Sequence, residues 1–200
     1  WRAGAEDALK FGRRLVEDYA ENGLQSSVTP EILFIERCTQ FLAPGGRMCI
    51  LLPDSILVSP GLGYIREWII QNHRIVASID LNADTFQPRN GTQTSVLILQ
   101  KKTQEQRDAE EKSGKMADYN IFMAMVEKVG HDKRGNPLFK RDKEGNEILV
   151  PDTNSVLVLG ETGEGQRTVS HEQKVKVEDD QTPDVPAIFA EWKRQEGLGW

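Results

Sequence analysis

"ILFIERCTQFLAPGGRMCILLPDSILVSPGLGYIREWIIQNHRIVASIDLNADTFQPRNGTQTSVLILQKK" runs from Ile32 to Lys102. Helical and extended apolar patterns alternate along it. Ile32, Leu33, Ile35, Cys38, Phe41 and Leu42 make a broad helical stripe, with Thr29 as N-cap and Pro30 in the first helical position. Pro44-Gly45-Gly46 ends that helix. Met48 to Leu52 follows as an unbroken apolar run, the pattern of a strand covered on both faces. Ser59-Pro60 starts a second helix, with Ile65, Trp68 and Ile69 on its buried side and a stop near Asn72-His73. "RIVASIDL" is the next strand, and Thr94 to Leu99 the last. Strands alternating with helices predict an α/β fold with parallel strands. The last two strands are joined without a helix, which predicts an antiparallel pair at the sheet edge.

Outward from this stretch the chain divides into four parts. Residues 1–27 form an N-terminal helical segment, with Ala8, Phe11, Leu15 and Tyr19 at helical spacing and a stop at Asn22-Gly23. Residues 28–103 are the α/β unit. Residues 104–150 hold an exposed helix or linker, a strand in "YNIFMAMVEKVG", and a basic hairpin excursion. Its two turn signals are Lys133-Arg134-Gly135-Asn136 and Lys143-Glu144-Gly145-Asn146. Residues 151–200 read as an acidic, partly flexible tail with a short C-terminal helix carrying Ile188, Phe189 and Trp192 on one face. No internal repeat is read.

The chain has 200 residues, 38% of them hydrophobic, and a mean hydropathy of -0.50, so part of it is expected to pack poorly. The net charge of -6 is uneven: Lys128 to Lys143 carries +4 and Glu144 to Trp200 carries -7. Only the central basic segment attracts phosphate, and an acidic chain is no nucleic-acid binder on charge alone. Cys38 and Cys49 sit in apolar runs without a CxxC or a histidine partner, and are expected to be small buried hydrophobes. No stretch of about 18 apolar residues offers a membrane span, and no secretory signal is seen, so a cytoplasmic location is expected. The first residue is Trp1 rather than Met, as expected of a piece of a longer or processed chain. "GETGEG" (Gly160 to Gly165) reads as a flexible loop rather than a nucleotide cradle. His73, His131 and His171 stand alone, as surface or helix-end residues. Asp54 is better placed, because ligands of open α/β sheets bind beyond the carboxyl ends of strands.

The order and spacing of these pieces resemble a known family. The helix, "PGGRM", apolar strand, "LPDSIL", helix with "REWI", strand, and "TFQP…TSVLIL" look like the second half of the catalytic domain of N6-adenine DNA methyltransferases. The resemblance is to the modification subunit of type I restriction-modification systems and its single-chain relatives. "YNIFMAMVEKVGHDKRGNP" is similar to the family's following segment. The implied fold is a partial class I S-adenosylmethionine-dependent methyltransferase (Rossmann-like) sheet with an antiparallel edge strand pair and an added β-hairpin. The family's Gly-rich cofactor turn and its N/D-P-P-Y/F tetrapeptide are missing from the sequence. The resemblance therefore implies a fragment, inactive alone, whose parent uses S-adenosylmethionine.

Such a parent must flip its target base out of the duplex and hold it between flat surfaces. In related enzymes the second aromatic comes from the loop between the last two strands, the position of Phe86, otherwise a lone aromatic on a polar loop. The alternative is that Phe86 tucks beneath its own loop. The resemblance implies Phe86, Pro53 and Asp54 at the target base. It also implies Arg89, Asn90, Lys133 and Arg134 on DNA, with Thr92 nearby, against the bland reading of solvated loop tips. No metal site or catalytic residue is expected within the chain. The implied partners are double-stranded DNA and the specificity and other restriction-modification subunits. Two competing readings remain: a non-catalytic α/β interaction module derived from a methyltransferase, and a methyltransferase acting on RNA or protein.

Overall fold

A computed structural model describes residues 28–159 and 166–199, with the backbone alone over 154–159 and 166–169. The expected helix within 1–27 and the "GETGEG" loop lie outside the described residues. The first described helix, α1 (Pro30–Phe41), begins with proline at its first turn, and Thr29 holds the N-cap position in extended backbone. The Thr29 side chain makes no capping bond, so the cap is positional rather than hydrogen-bonded. Ile32, Ile35, Glu36 and Thr39 form the buried face of α1, while Phe41 and Phe34 face solvent.

The turn after α1 docks against a distant strand end. Gly45 adopts φ +77°, a conformation costly for residues with a Cβ. A Cβ on Gly46 would lie 2.8 Å from the Ala43 carbonyl. The Gly45 N–H donates to Lys101 O (2.9 Å), and the Lys101 N–H donates to Gly46 O (2.8 Å). The Lys101 ammonium meanwhile donates to Thr39 O (3.0 Å) and Leu42 O (2.7 Å), a cation set on the negative end of α1.

Strand β1 (Arg47–Pro53) leads directly into the five-residue helix α2 (Asp54–Val58), a 3-10 turn (Pro60–Leu62) and α3 (Gly63–Asn72). The arginine of "REWI" explains this compact corner. Arg66 Nη1 donates to Ile56 O (3.0 Å) and Ser59 O (2.8 Å), tying α2 to α3. Strands β2 (His73–Asp80) and β3 (Thr94–Lys101) follow, then helix α4 (Gln104–Ser113) and strand β4 (Phe122–Met125). The sheet order is β1-β3-β2-β4. β3 runs antiparallel to both β1 and β2, and β4 runs parallel to β2. The antiparallel β2/β3 pair is therefore present, but β3 lies inside the sheet and β4 takes the edge beyond β2. The four-residue β4 is shorter than the run "YNIFMAMVEKVG" suggests.

The helices cover one face of the sheet. Ile32 and Ile35 of α1, Ile56 of α2, and Ile65 and Ile69 of α3 pack on Leu52, Leu97 and Leu99. Fully burying each such side chain contributes roughly 1.5–3 kcal/mol. The opposite face of β1 is open, which corrects the expectation of a doubly covered strand: Cys49 is exposed and Leu51 is 46% exposed. Cys49 is thus not the small buried hydrophobe it was expected to be, whereas Cys38 is half-buried. A five-residue apolar run is read as doubly covered only because its neighbours in space are invisible in the sequence. At the other edge, α5 (Val185–Gln195) lays Phe189 and Trp192 against Phe122 of β4, with ring centroids 5.2 and 5.6 Å away. Ile188, expected on the same face, is exposed.

Residues 151–159 and 166–176, expected to be part of an acidic, partly flexible tail, belong to a two-stranded antiparallel ladder, β5 (Leu149–Leu159) with β6 (Gln166–Lys176). Its described side chains contribute little core, as the composition predicts. The backbone pairs with itself instead, and Pro151 is tolerated because each strand of a two-stranded ribbon is an edge. The two turn signals of the basic segment before it prove to be copies of one turn, a short repeat where none was expected. Asp132-Lys133-Arg134-Gly135-Asn136 and Asp142-Lys143-Glu144-Gly145-Asn146 fold into the same turn. In each, the glycine N–H donates to the aspartate carbonyl and the aspartate N–H to the asparagine carbonyl. Among the described residues no helix is long and apolar enough to cross a membrane.

Candidate functional site

Both ends of β2 carry polar groups, and they are treated differently by the fold. At the start, His73 is fully buried, which corrects its expected surface place while keeping it at a helix end. Thr39 Oγ1 donates to Ile35 O (2.7 Å), so it can only accept from His73 Nε2, 3.1 Å away. The imidazole proton therefore sits on Nε2, and Nδ1 is left without a hydrogen-bond partner. Burial pushes the His73 pKa down to about 4, against a smaller opposing effect of the Ile69 carbonyl and with the Lys101 and Lys102 charges adding to the depression. The group is a neutral packing element at physiological pH.

A cleft of about 520 Å³ opens at this same end, between α4 and residues 115–119. Its main charges are taken up within its walls. Lys102 pairs with Glu110 (2.6 Å), whose other oxygen accepts the Ala117 N–H (3.1 Å). The Arg74 guanidinium lies 4.9 Å from the centre of the Tyr119 ring.

The other end of β2 is where the sequence-predicted residues gather. Pro53 closes β1 and Asp54 opens α2. Asp54 Oδ1 accepts from the buried Ser95 Oγ (2.8 Å), and its N–H donates to Gln93 O (3.0 Å). Asp80, the last residue of β2, accepts from Gln93 Nε2 (3.2 Å). The carboxylates of Asp54 and Asp80 are thus both held by the segment entering β3. Beside them the Thr94 Oγ1 is buried without a partner.

The loop between β2 and β3 is more ordered than its polar composition suggests. Asn82 starts it: Oδ1 accepts the Asp84 N–H (2.7 Å), and the Asn82 carbonyl accepts both the Thr85 N–H (2.9 Å) and the Thr85 hydroxyl (2.6 Å). The Phe86 carbonyl accepts the N–H groups of Arg89 (3.2 Å) and Asn90 (2.9 Å), closing a turn around Gln87-Pro88. Asn90 Oδ1 in turn accepts the Thr92 N–H (2.9 Å). Phe86 stands on this scaffold 38% exposed. A partly open ring on a bonded turn is a preformed flat surface.

The structure brings the loop and the basic turn together. The Pro88 ring approaches Gly135 so closely that a Cβ there would lie 3.2 Å from Pro88 Cδ. Arg89 follows Pro88, and Lys133 and Arg134 precede Gly135, so three exposed cations flank one contact. Asp132, the acidic member of the turn, is occupied internally. Its carboxylate accepts from the Asn136 side chain (2.9 Å) and from the N–H groups of Arg134 and Asn136, which hold its pKa below the usual carboxylate value. Pro53 and Asp54 share this edge of the sheet but bond to β3 and its approach rather than to the loop tip.

Sequence reasoning missed Ser95, Asn82 and Gly135. Asn82 carried a usable signal, since an asparagine side-chain oxygen commonly accepts the backbone N–H two residues on and so builds such a turn. The twin Asp-Lys-x-Gly-Asn pattern was also legible. Ser95 and the Pro88–Gly135 contact depend on residues 41 and 47 positions apart in the chain, and no local pattern reports them. Among the described residues no cluster of histidine, cysteine, aspartate and glutamate is arranged to hold a metal ion. No described strand is followed by a glycine-rich turn leading directly into a helix.

Comparison with known proteins completes the picture. The family model "N-6 DNA Methylase" matches residues 7–147. Two solved structures are similar over part of their length. One is a Listeria monocytogenes protein described as a class I S-adenosylmethionine-dependent methyltransferase, with 22% identity, 60% of this chain and 31% of that chain covered, and a TM-score of 0.43. The other is the M protein of the type I restriction enzyme EcoKI, with 27% identity, 38% and 16% covered, and a TM-score of 0.35. The chain spans less than a third of the length of either. No curated protein matches.

Proposed function

Because the chain belongs to the N-6 DNA methylase family, we propose that it supplies half the sheet and one wall of the target-adenine pocket of a DNA adenine-N6 methyltransferase. The observation that carries this reading is the open, hydrogen-bonded turn that presents Phe86 beside Arg89, Lys133 and Arg134. A flipped adenine needs a flat apolar surface, worth about 1–3 kcal/mol by stacking, and the duplex around it needs cations on its phosphates. Asp54, oriented by Ser95, and Pro53 line the approach to that surface from the junction of β1 and α2, and Asn90 shares the loop tip with Arg89.

The methyl donor of the complete enzyme is S-adenosylmethionine, which supplies an electrophilic methyl group to the adenine amine. Its principal cradle and the N/D-P-P-Y/F motif belong to parts of the enzyme other than the described residues, so this chain alone does not turn over. Among the described residues β1 is an edge strand, which supports a sheet that continues past it in the complete enzyme. Double-stranded DNA and the specificity and other subunits of a restriction-modification system are the partners of this reading, in the cytoplasm.

The test is methyl transfer by the complete enzyme to a DNA duplex and to RNA of the same sequence, with nucleoside analysis of the product. N6-methyladenine formed in the duplex supports the reading. Transfer to RNA alone, or none to either while the protein binds a partner subunit, replaces it with an RNA methyltransferase or an interaction module.

A further inference from the structure

The twin turns 132–136 and 142–146 share their pattern and their bonds, yet their glycines meet different surroundings. Asp142 accepts from Glu144 N–H, Asn146 N–H and the Asn146 side chain, as Asp132 does from the equivalent groups. Gly135 and Gly145 both take positive φ, +81° and +90°. A Cβ at Gly145 would meet nothing within 4 Å. A Cβ at Gly135 would lie 3.2 Å from Pro88 Cδ and 3.7 Å from Cγ.

Pro88 sits inside the turn that closes on the Phe86 carbonyl, so displacing Pro88 displaces Phe86. The loop has a second anchor on the same supporting segment, Asn82 Nδ2 donating to Glu127 O (2.6 Å). That segment is itself bonded to another part of the chain. Gln181 Oε1 accepts the Glu127 N–H (2.8 Å), and the Gly130 N–H donates to Asp179 O (3.1 Å).

We infer that the turn 132–136 is a rest that sets the position of the Phe86 loop, with Gly135 as the positioning residue. This deepens the base-holding reading and rests on it for its catalytic consequence. The same turn that presents Lys133 and Arg134 to phosphate then also fixes the aromatic wall, so backbone contact and base capture are one rigid unit. The second turn, alike in backbone and differing in sequence only by Glu144 in place of Arg134, carries no such load.

The repeat provides its own control. Asparagine accepts positive φ more readily than other residues with a Cβ, so Gly135→Asn and Gly145→Asn carry similar backbone strain and differ in the Pro88 contact. In the 200-residue chain, amide exchange at Arg89 and Asn90 is expected to be about tenfold faster in Gly135→Asn than in Gly145→Asn. Equal exchange in the two variants overturns the inference. In the complete enzyme, a duplex with 2-aminopurine at the target base reads base capture directly. Gly135→Asn should lower its fluorescence and kcat while duplex affinity stays within about twofold, since no cation is lost. Base capture and kcat equal to those of Gly145→Asn contradict the positioning role. A wild-type enzyme that leaves adenine unmethylated defeats the base-holding reading alone, because the exchange comparison still decides whether the turn supports the loop. Should Gly135→Asn fail to fold, Gly135→Ala against Gly145→Ala gives the same contrast.

Discussion

The two ends of β2 lie seven residues apart and are built on opposite principles. At His73 the polar groups turn inward: His73 is fully buried, and Lys101 is spent on helix carbonyls. At the Asp80 end Thr94 and Ser95 are buried too, but the loop beyond them holds Phe86 and Arg89 open to solvent. One end of the strand is packed into the fold, and the other carries the candidate site. Buried polar groups at the first end are costly to disturb, whereas exposed groups at the second change stability little and are free to bind.

The largest expected effect is at His73. Its pKa lies near 4 in the folded chain against 6.5 ordinarily, so between those values the unfolded chain binds a proton that the folded chain does not. Stability is full above about 6.5, falls as the pH is lowered towards 4, and loses on the order of 3 kcal/mol over that window. Urea unfolding from pH 7 to pH 4 should show this slope in the wild type and a flattened one in His73→Phe. Lys101→Met comes next. It removes a charged donor from two carbonyls at the end of α1 and should cost about 2 kcal/mol at pH 7 by the same measurement. Ser95→Ala, at the opposite end, loses one neutral donor to Asp54 and should cost about 1 kcal/mol. A Ser95 effect larger than that of Lys101 would break the contrast between the ends. The smallest stability effects are expected for Arg89→Ala, Lys133→Ala and Arg134→Ala, each within about 0.5 kcal/mol. Their mark should instead be on duplex binding by the complete enzyme, where each lowers the salt-dependence slope by about 1.

Much of the fold was legible because its signals are local. The helical spans of α1 and α3, the Pro44-Gly45-Gly46 stop, and the runs that became β1, β2 and β3 all announced themselves within a few residues, although the buried face of α1 takes in Glu36 and Thr39 and leaves out Phe41 of the expected stripe. What escaped were facts of pairing and cover. Nothing in "RMCILLP" tells that only one face of β1 is packed, and the two strands of the β5–β6 ladder are each too polar to stand out without the other. The candidate site divides the same way. Phe86, Arg89 and the basic turn were visible as anomalies of composition: an aromatic on a polar loop, and cations around a glycine. Their meeting at Pro88 and Gly135 is a tertiary contact, and so is the Ser95 bond to Asp54. His73 was misjudged for the same reason, since burial depends on what α1 brings to it from more than thirty residues away.

The central claim is that the open end of β2 holds a base, and Phe86→Ala tests it most directly. The substitution should change the stability of the chain by less than about 1 kcal/mol, because the ring is already 38% exposed. In the complete enzyme it should slow adenine methylation about 5- to 150-fold, the equivalent of one lost stacking surface, with a matching drop in 2-aminopurine fluorescence at the target. An unchanged methylation rate and unchanged base capture, or a loss of stability as large as that from the His73 end, would contradict the account.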